Sequence, residues 1–389
     1  MIQQVENKQR QNMIKPGATI GLLGGGQLGR MIALAGRAMG YRFATMDPTE
    51  DSPSGQVSDR QVVAAFDDVE GARQLAAMSD VITYEFENVD ADVARTLEAS
   101  SYVPQGSRLL RITQNRIREK TTIESLGIPV APFRVVTDAD ELRQAVRELG
   151  LPAVLKTATG GYDGKGQWVL RTEGECGGAF STLAAWGTEL IVEAFIPFVK
   201  ELSVIAARNP AGEIAVFPTA ENVHVENILH LSIVPARAEA DVLAKAEEIA
   251  RQIVEKLDVI GLIAVEVFLT ADGEIYVNEL APRPHNSGHY TMDACVSSQF
   301  EQHVRAICNL PLGSTRLLSP VVMVNILGEH LLPVLAKLDS LPPACKLHLY
   351  GKQESKPKRK MGHLNVVADS TEQALTIIEK LGIWGKVEK

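Results

Sequence analysis

Apolar and polar positions alternate along this chain in two periods. In ATIGLLGGGQLGRMIALAGRAMGYRFATMD an apolar run stops at three glycines. Met31, Leu34, Ala35 and Ala38 then recur at helical spacing until Gly40. The pattern predicts strand, glycine turn, helix and strand. QVVAAF and DVITYEF continue as strands between helix-like segments, the βαβ rhythm of a parallel sheet reaching to about Pro104. RITQNRIREKTTIESLGIPVAPF reads as one helix ending at Gly127, with Pro129 and Pro132 just beyond, and a domain boundary falls there.

Beyond that boundary the period shortens to two. FRVV, PAVLKTA, QWVL and ELIVEAF are strand candidates around the helix ADELRQAVRELG, making a small α+β unit. ELSVIAAR, EIAVFP and HLSIVPAR follow, then the helix ADVLAKAEEIARQIVEKLD and the hairpin LIAVEVFLTADGEIYVNEL. VVMVNIL, CKLHLYG and HLNVVA predict a compact terminal β element joined by a basic connector. The expected organisation is a polar tail over 1–16, a Rossmann-like domain over 17–125, a small lid domain over 126–195, a catalytic domain over 196–315 and the β element with its tail over 316–389. A mixed α/β and α+β fold follows.

Composition narrows the function. At 389 residues, 45% apolar and 22% charged, the chain is that of a globular protein with two or three domains. A net charge of −9 argues against nonspecific nucleic-acid binding. Cys176, Cys295, Cys308 and Cys345 are far apart, which argues for a reducing cytosol and against a zinc or disulfide framework. MIQQVENKQRQNMIKPG lacks the apolar core of a signal peptide, and no apolar run reaches the ~20 residues of a membrane helix. Met1 and Met13 are both candidate starts.

TGGYDGKGQW carries the first candidate chemistry. A P-loop would place Ser or Thr after the lysine and a helix after that, yet Lys165 precedes Gly166 and the strand-like QWVL. The loop therefore joins two strands, as a flap able to close over phosphates does. A mobile glycine hairpin is the plainer alternative. Lys156, inside PAVLKTA, is either snorkelling from an edge or aimed at a ligand.

Asp272-Gly273 signals a two-residue hairpin turn. Pairing Ala271 with Glu274 sets Val267 opposite Asn278 and Glu266 opposite Glu279. Facing carboxylates in apolar strands repel, and a divalent cation removes that penalty. Magnesium suits, leaving coordination positions for phosphate oxygens, with manganese an acceptable substitute. The other reading turns one glutamate to solvent or pairs it with an arginine. In the following LAPRPHNSGHY, Arg283 is suited to hold a carboxylate or bicarbonate. Gly24, Gly26 and Gly29 also satisfy the dinucleotide fingerprint, with Asp47 about 20 residues on, so an NAD-dependent oxidoreductase is a rival. That chemistry leaves the second loop and the glutamate pair unexplained.

GGGQLGRM, TYEFENV, TGGYDGKGQ, IVEAFI, VNELAPRPHNSGH and RKMGHLN, taken in order, resemble the 5-(carboxyamino)imidazole ribonucleotide synthase family of ATP-grasp enzymes over Thr19 to Ala368. Lys165, where arginine is common, and a longer basic loop near Gln353 depart from the family pattern. The resemblance implies ATP between the lid and catalytic domains. Its contacts would be Arg116, Lys156, Gly161, Tyr162, Asp163, Gly164, Lys165, Gly166, Gln167, Glu193, Ala194, Phe195, Ile196, Glu201, His224, Asn278 and Glu279. Magnesium would sit at Glu266 and Glu279. The substrate, 5-aminoimidazole ribonucleotide, would meet Gln27, Leu28, Glu85, His285, Asn286, Lys352 and Arg359. Arg283, Asp163, Lys352 and Lys165 are the catalytic candidates: Arg283 for bicarbonate, Lys165 for phosphoryl charge, Asp163 and Lys352 for the attacking amine. A cytoplasmic homodimer is implied. A formate-dependent glycinamide ribonucleotide ligase is the sibling alternative, and a silent ATP sensor a further one.

Overall fold

The computed structural model describes residues 13–161 and 164–385. Three sheets organise it. The first is parallel, with strands β1 (Thr19–Leu23), β2 (Arg42–Asp47), β3 (Arg60–Val63) and β4 (Val81–Tyr84) in the order β3-β2-β1-β4. Ile20, Leu22, Phe43, Met46 and Val81 are wholly buried, as expected of strands covered on both faces. The expected single helix after this sheet is two, Arg108–Thr113 and Arg116–Ser125. Asn115 divides them because its carboxamide oxygen caps the second, accepting from the N–H groups of Ile117 and Arg118.

The second sheet contains β5 (Phe133–Val136), β6 (Ala153–Thr157), β7 (Gln167–Leu170) and β8 (Leu190–Ala194), ordered β5-β8-β6-β7 and antiparallel. Leu155 and Val192 pack with Leu142, Val146, Ala179 and Leu183 of the helices Ala139–Leu149 and Cys176–Ala184. Period two then turns their neighbours Val154, Lys156 and Glu193 to the opposite face, where they line a cleft.

The third sheet has nine strands: β9 (Phe198–Arg208), β10 (Ile214–Val216), β11 (Ala220–Val225), β12 (Ile228–Val234), β13 (Gly261–Thr270), β14 (Ile275–Ala281), β15 (Val321–Leu327), β16 (Cys345–Leu349) and β17 (Lys360–Val367). Its order is β14-β13-β9-β11-β12-β15-β17-β16, with β10 on β9. The pattern of AENVHV had not suggested β11. β12 pairs with β15 through Leu231↔Val324, so the terminal β element is fused to the antiparallel sheet and covers an otherwise open edge. The helix Ala240–Lys256 buries Ala246, Ile249, Ala250 and Ile253 against one face of the sheet, with Val204, Ile263 and Val265. The other face of the β9–β13–β14 strands looks toward the lid.

Candidate active site

Glu266 does face Glu279, by a different route from the one expected. Thr270 N–H donates to the Glu274 carbonyl at 3.0 Å, and Leu269 pairs with Ile275. The hairpin loop is thus three residues, 271–273, with Gly273 at φ +83°. Three-residue hairpins close in this way, through a glycine in the left-handed region. Val267 pairs with Val277, not Asn278, and an irregularity between Glu266 and Val267 then shifts the register by one. The two departures cancel, leaving both carboxylates on the cleft wall. Each has a nitrogen partner beside it: His285 Nε2 lies 2.9 Å from Glu266, and the Arg116 guanidinium Nη1 lies 3.5 Å from Glu279. Burial raises the Glu266 pKa, but His285, His224 and Arg283 outweigh burial and hold the carboxyl well below the usual range.

Lys156 Nζ bonds Glu193 Oε2 at 3.0 Å, and the wholly buried Lys120 reaches the same oxygen at 3.4 Å. Among the described residues, Glu193 Oε1 is buried without a hydrogen-bond partner. Lys156 is therefore not snorkelling. Across the cleft, Phe198 and Phe268 stack with ring centroids 4.5 Å apart and planes 9° from parallel. Val154, Val169 and Leu229 add apolar wall, and Ala194, Phe195 and Ile196 complete the strand end. Glu201 bonds His224 Nδ1 at 3.1 Å.

The glycine loop spans β6 to β7, with Lys156↔Gln167 as its base pair. Gly161, Gly164, Lys165 and Gln167 line the cleft, whereas Gly166 packs toward Thr157. Gly164 has φ +78°, and a Cβ there would lie 2.6 Å from Cγ of Asn227 in the β11–β12 turn. The flap thus bridges the lid and the third sheet. Tyr162 and Asp163 lie outside the described residues.

The cleft encloses about 750 Å³ and also takes in Arg116, Asn278, Arg283, His285 and Asn286. Asn286 Nδ2 and Oδ1 are both buried without a hydrogen-bond partner among the described residues. Arg283 donates through Nε and Nη2 to Glu87, with Nη2 to Oε1 at 3.0 Å, so the arginine expected to be open to an anion already holds a carboxylate. Among the described residues, no group of three or more His, Cys, Asp or Glu is arranged for a metal. Two facing carboxylates that leave the remaining positions to phosphate oxygens fit magnesium and not zinc.

Gln27, Leu28, Glu85, Lys352 and Arg359 lie outside this cleft's lining. Gln27 and Leu28 open the helix Gln27–Ala38, but the Glu85 carboxylate already accepts from the Gly26 and Gly29 N–H groups of that turn. A Cβ on Gly26 would lie 2.6 Å from Glu85 Oε1, which accounts for one glycine of the fingerprint without a dinucleotide. Asp47 accepts from the Gly25 and Thr49 N–H groups, each at 2.8 Å, and is no open ribose acceptor. Burial raises Glu85 to about 7. Lys352 Nζ donates to the Lys360 carbonyl at 2.7 Å, and burial, then Arg359, lowers it to about 8. Glu85 is among its electrostatic neighbours. Arg359 instead turns back on its own exposed loop, donating to the Glu354 carbonyl at 2.8 Å.

Models of three protein families match successive parts of the chain. They are the ribonucleotide synthetase preATP-grasp domain over residues 17–114, the ATP-grasp domain over 121–300 and the phosphoribosylaminoimidazole carboxylase C-terminal domain over 321–376. An N5-carboxyaminoimidazole ribonucleotide synthase of Bacillus subtilis is 54% identical over 352 residues, covering 90% of this chain and 92% of that one. The chain belongs to the N5-carboxyaminoimidazole ribonucleotide synthase family. A Brucella melitensis synthase is 43% identical over 92% of this chain and 98% of its own. Among solved structures, an ADP complex of a family member superposes with TM-score 0.93 at 56% identity, covering 96% of this chain and 98% of that one. An Aspergillus clavatus synthase in complex with ADP and 5-aminoimidazole ribonucleotide gives 0.88 at 33% identity, covering 94% and 97%. The ATP-grasp architecture expected from the sequence is the one found.

Several residues in or beside the cleft of this synthase family member lie outside the expected set. Glu87 lies two positions after Glu85 in the same TYEFENV segment, and its strand-end position was the only signal. Glu119 and Lys120 are buried side by side in a helix with little amphipathic pattern, so periodicity gave no warning. Phe268 looks like any alternating strand residue. Lys360, which lines the cleft, was hidden in the basic run.

Proposed function

We propose that the protein carboxylates 5-aminoimidazole ribonucleotide with bicarbonate at the expense of ATP, giving 5-(carboxyamino)imidazole ribonucleotide, ADP and phosphate. One observation carries the reading: Glu266 and Glu279 face each other beneath a glycine flap, in a cleft shared with Lys156, Lys165 and Arg116. That is a site for a magnesium nucleotide whose terminal phosphoryl is to move. The relatives' names and the aminoimidazole ribonucleotide complex of the Aspergillus synthase support the acceptor.

The apolar slot of Phe198, Phe268 and Leu229 suits adenine, and the unpartnered Glu193 Oε1 suits its amino group. Glu201 would take the ribose hydroxyls, with His224 holding its carboxylate in place. Arg116, Lys156 and Lys165 would face the phosphates. Glu266 and Glu279, with Asn278 beside them, would hold magnesium. When bound, the ion supplies positive charge to the phosphate oxygens.

A bicarbonate oxygen, oriented by Arg283, attacks the γ-phosphorus. The new P–O bond forms as the bond to the β-phosphate oxygen breaks, releasing ADP and leaving carboxyphosphate. Flap closure excludes the water that would hydrolyse it. The exocyclic amine then bonds to the carboxyl carbon, phosphate leaves with the former bicarbonate oxygen, and the departing phosphate takes the proton that the amine gives up. Lys352 and Asp163 position that amine. Glu85, His285 and Asn286 would hold the ribonucleotide, with its phosphate near Gln27, Leu28 and Arg359. Oxygen-18 bicarbonate tests the route: one labelled oxygen should appear in each phosphate released, and unlabelled phosphate would refute carboxyphosphate.

No helix among the described residues is long and apolar enough to cross a membrane. A cytoplasmic homodimer accords with the family resemblance, and sedimentation at working concentration tests the dimer.

A further inference from the structure

A guanidinium offers two edges to a planar anion, a side edge of Nε with one terminal nitrogen and an end edge of both terminal nitrogens. In Arg283 the side edge is closed by the Glu87 carboxylate through Nε and Nη2, while Nη1 donates to the Pro284 carbonyl at 3.1 Å. These contacts use three of the five guanidinium N–H groups, so among the described residues one on each terminal nitrogen is left.

The two partners come from different sheets. Glu87 follows β4 of the parallel sheet, and Gln114 anchors its carbonyl at 2.7 Å, while Arg283 follows β14. Both side chains line the cleft beside Glu266 and His285. Displacing the partly buried Glu87 would break both of its contacts to Arg283 at once, which a small, weakly held anion cannot offset. Glu87 therefore stays in place while an anion enters.

We infer that Glu87 is a positioning residue for bicarbonate: it fixes the plane and rotamer of Arg283, so that the anion is gripped end-on by Nη1 and Nη2. The inference rests on the reading of Arg283 as the bicarbonate arginine.

Steady-state kinetics of Glu87→Gln, Glu87→Asp and Arg283→Lys separate the possibilities, with melting temperature followed in parallel. The glutamine variant should raise the bicarbonate KM about tenfold or more while the ATP KM stays within about twofold. The aspartate variant, which keeps the charge, should recover part of the loss. If Arg283→Lys raises the bicarbonate KM and Glu87→Gln leaves it unchanged, the positioning role is overturned and the Arg283 reading stands. A lower bicarbonate KM in Glu87→Gln overturns it too, because Glu87 would then be a competitor for the arginine. Equal losses in every parameter with a lowered melting temperature mark a purely structural pair. If Arg283→Lys leaves the bicarbonate KM untouched, the Arg283 reading itself fails.

Discussion

Lys156 shares the carboxylate oxygen of Glu193 with a second lysine, Lys120. The arrangement explains how a buried glutamate stays ionised. Burial raises its pKa, and Lys156 followed by Lys120 more than reverses this, to about 2. It also makes the two lysines mutual substitutes in stability, though not in chemistry, because Lys120 donates as well to the Val277 carbonyl at 3.2 Å, away from the phosphates.

A double-mutant cycle tests this. Lys156→Met should raise the ATP KM at least about tenfold and leave the melting temperature nearly unchanged. Lys120→Met should cost stability and spare part of the activity. The double variant leaves Glu193 buried with neither lysine and should lose about 3 kcal/mol or more, beyond the sum of the singles. Additive losses in urea unfolding would contradict the shared-carboxylate account.

Glu119 gives a pH prediction. Burial, then Glu279, raises its carboxyl from 4.5 to about 8, against the opposing pull of Arg116. A raised folded-state value means that the stabilising form is the protonated one. Its contribution is full below about 4.5 and is lost as pH rises through about 8. Glu119→Gln keeps an oxygen for the Leu280 N–H, which Glu119 accepts at 2.7 Å. Without nucleotide, this variant should melt above the parent protein at pH 8.5 and match it near pH 4.5. A pH-independent difference would contradict the assignment.

The flap is tested at Gly164. A side chain there meets both a left-handed backbone, φ +78°, and the Asn227 side chain. Gly164→Ala should lower turnover about tenfold or more and raise the fraction of ADP released without carboxylated product, since poorer closure admits water. Coupled turnover at the parent rate would show that this contact is not part of the closed flap.

Much of this architecture is legible in the amino-acid pattern, because its cause is local. The βαβ rhythm, the period-two strands and the flap between two strands each follow from spacing within a few tens of residues. Glu266 opposite Glu279 was also legible, although two departures of one residue had to cancel: Gly273 makes the hairpin loop three residues long, and the irregularity beside Glu266 restores the register. Long-range partnerships were not legible. Nothing in TYEFENV says that Glu87 will meet Arg283, 196 residues away, or that Glu85 will cap the Gly26–Gly29 turn. The same gap made a dinucleotide site plausible, since a glycine turn reads alike whether it cradles a ligand's phosphate or the protein's own carboxylate.

The facing carboxylates are tested by Glu279→Gln and Glu266→Gln. Each should reduce turnover at least about a hundredfold while circular dichroism and melting remain close to the parent. Near-normal activity in either would exclude that residue from the metal.

The most direct measurement is ADP release by the purified protein with magnesium ATP and each acceptor in turn. Rapid, stoichiometric release should require bicarbonate and 5-aminoimidazole ribonucleotide together and yield one carboxylated ribonucleotide per ADP. Release driven instead by formate with glycinamide ribonucleotide, or no release with any acceptor, would contradict the account.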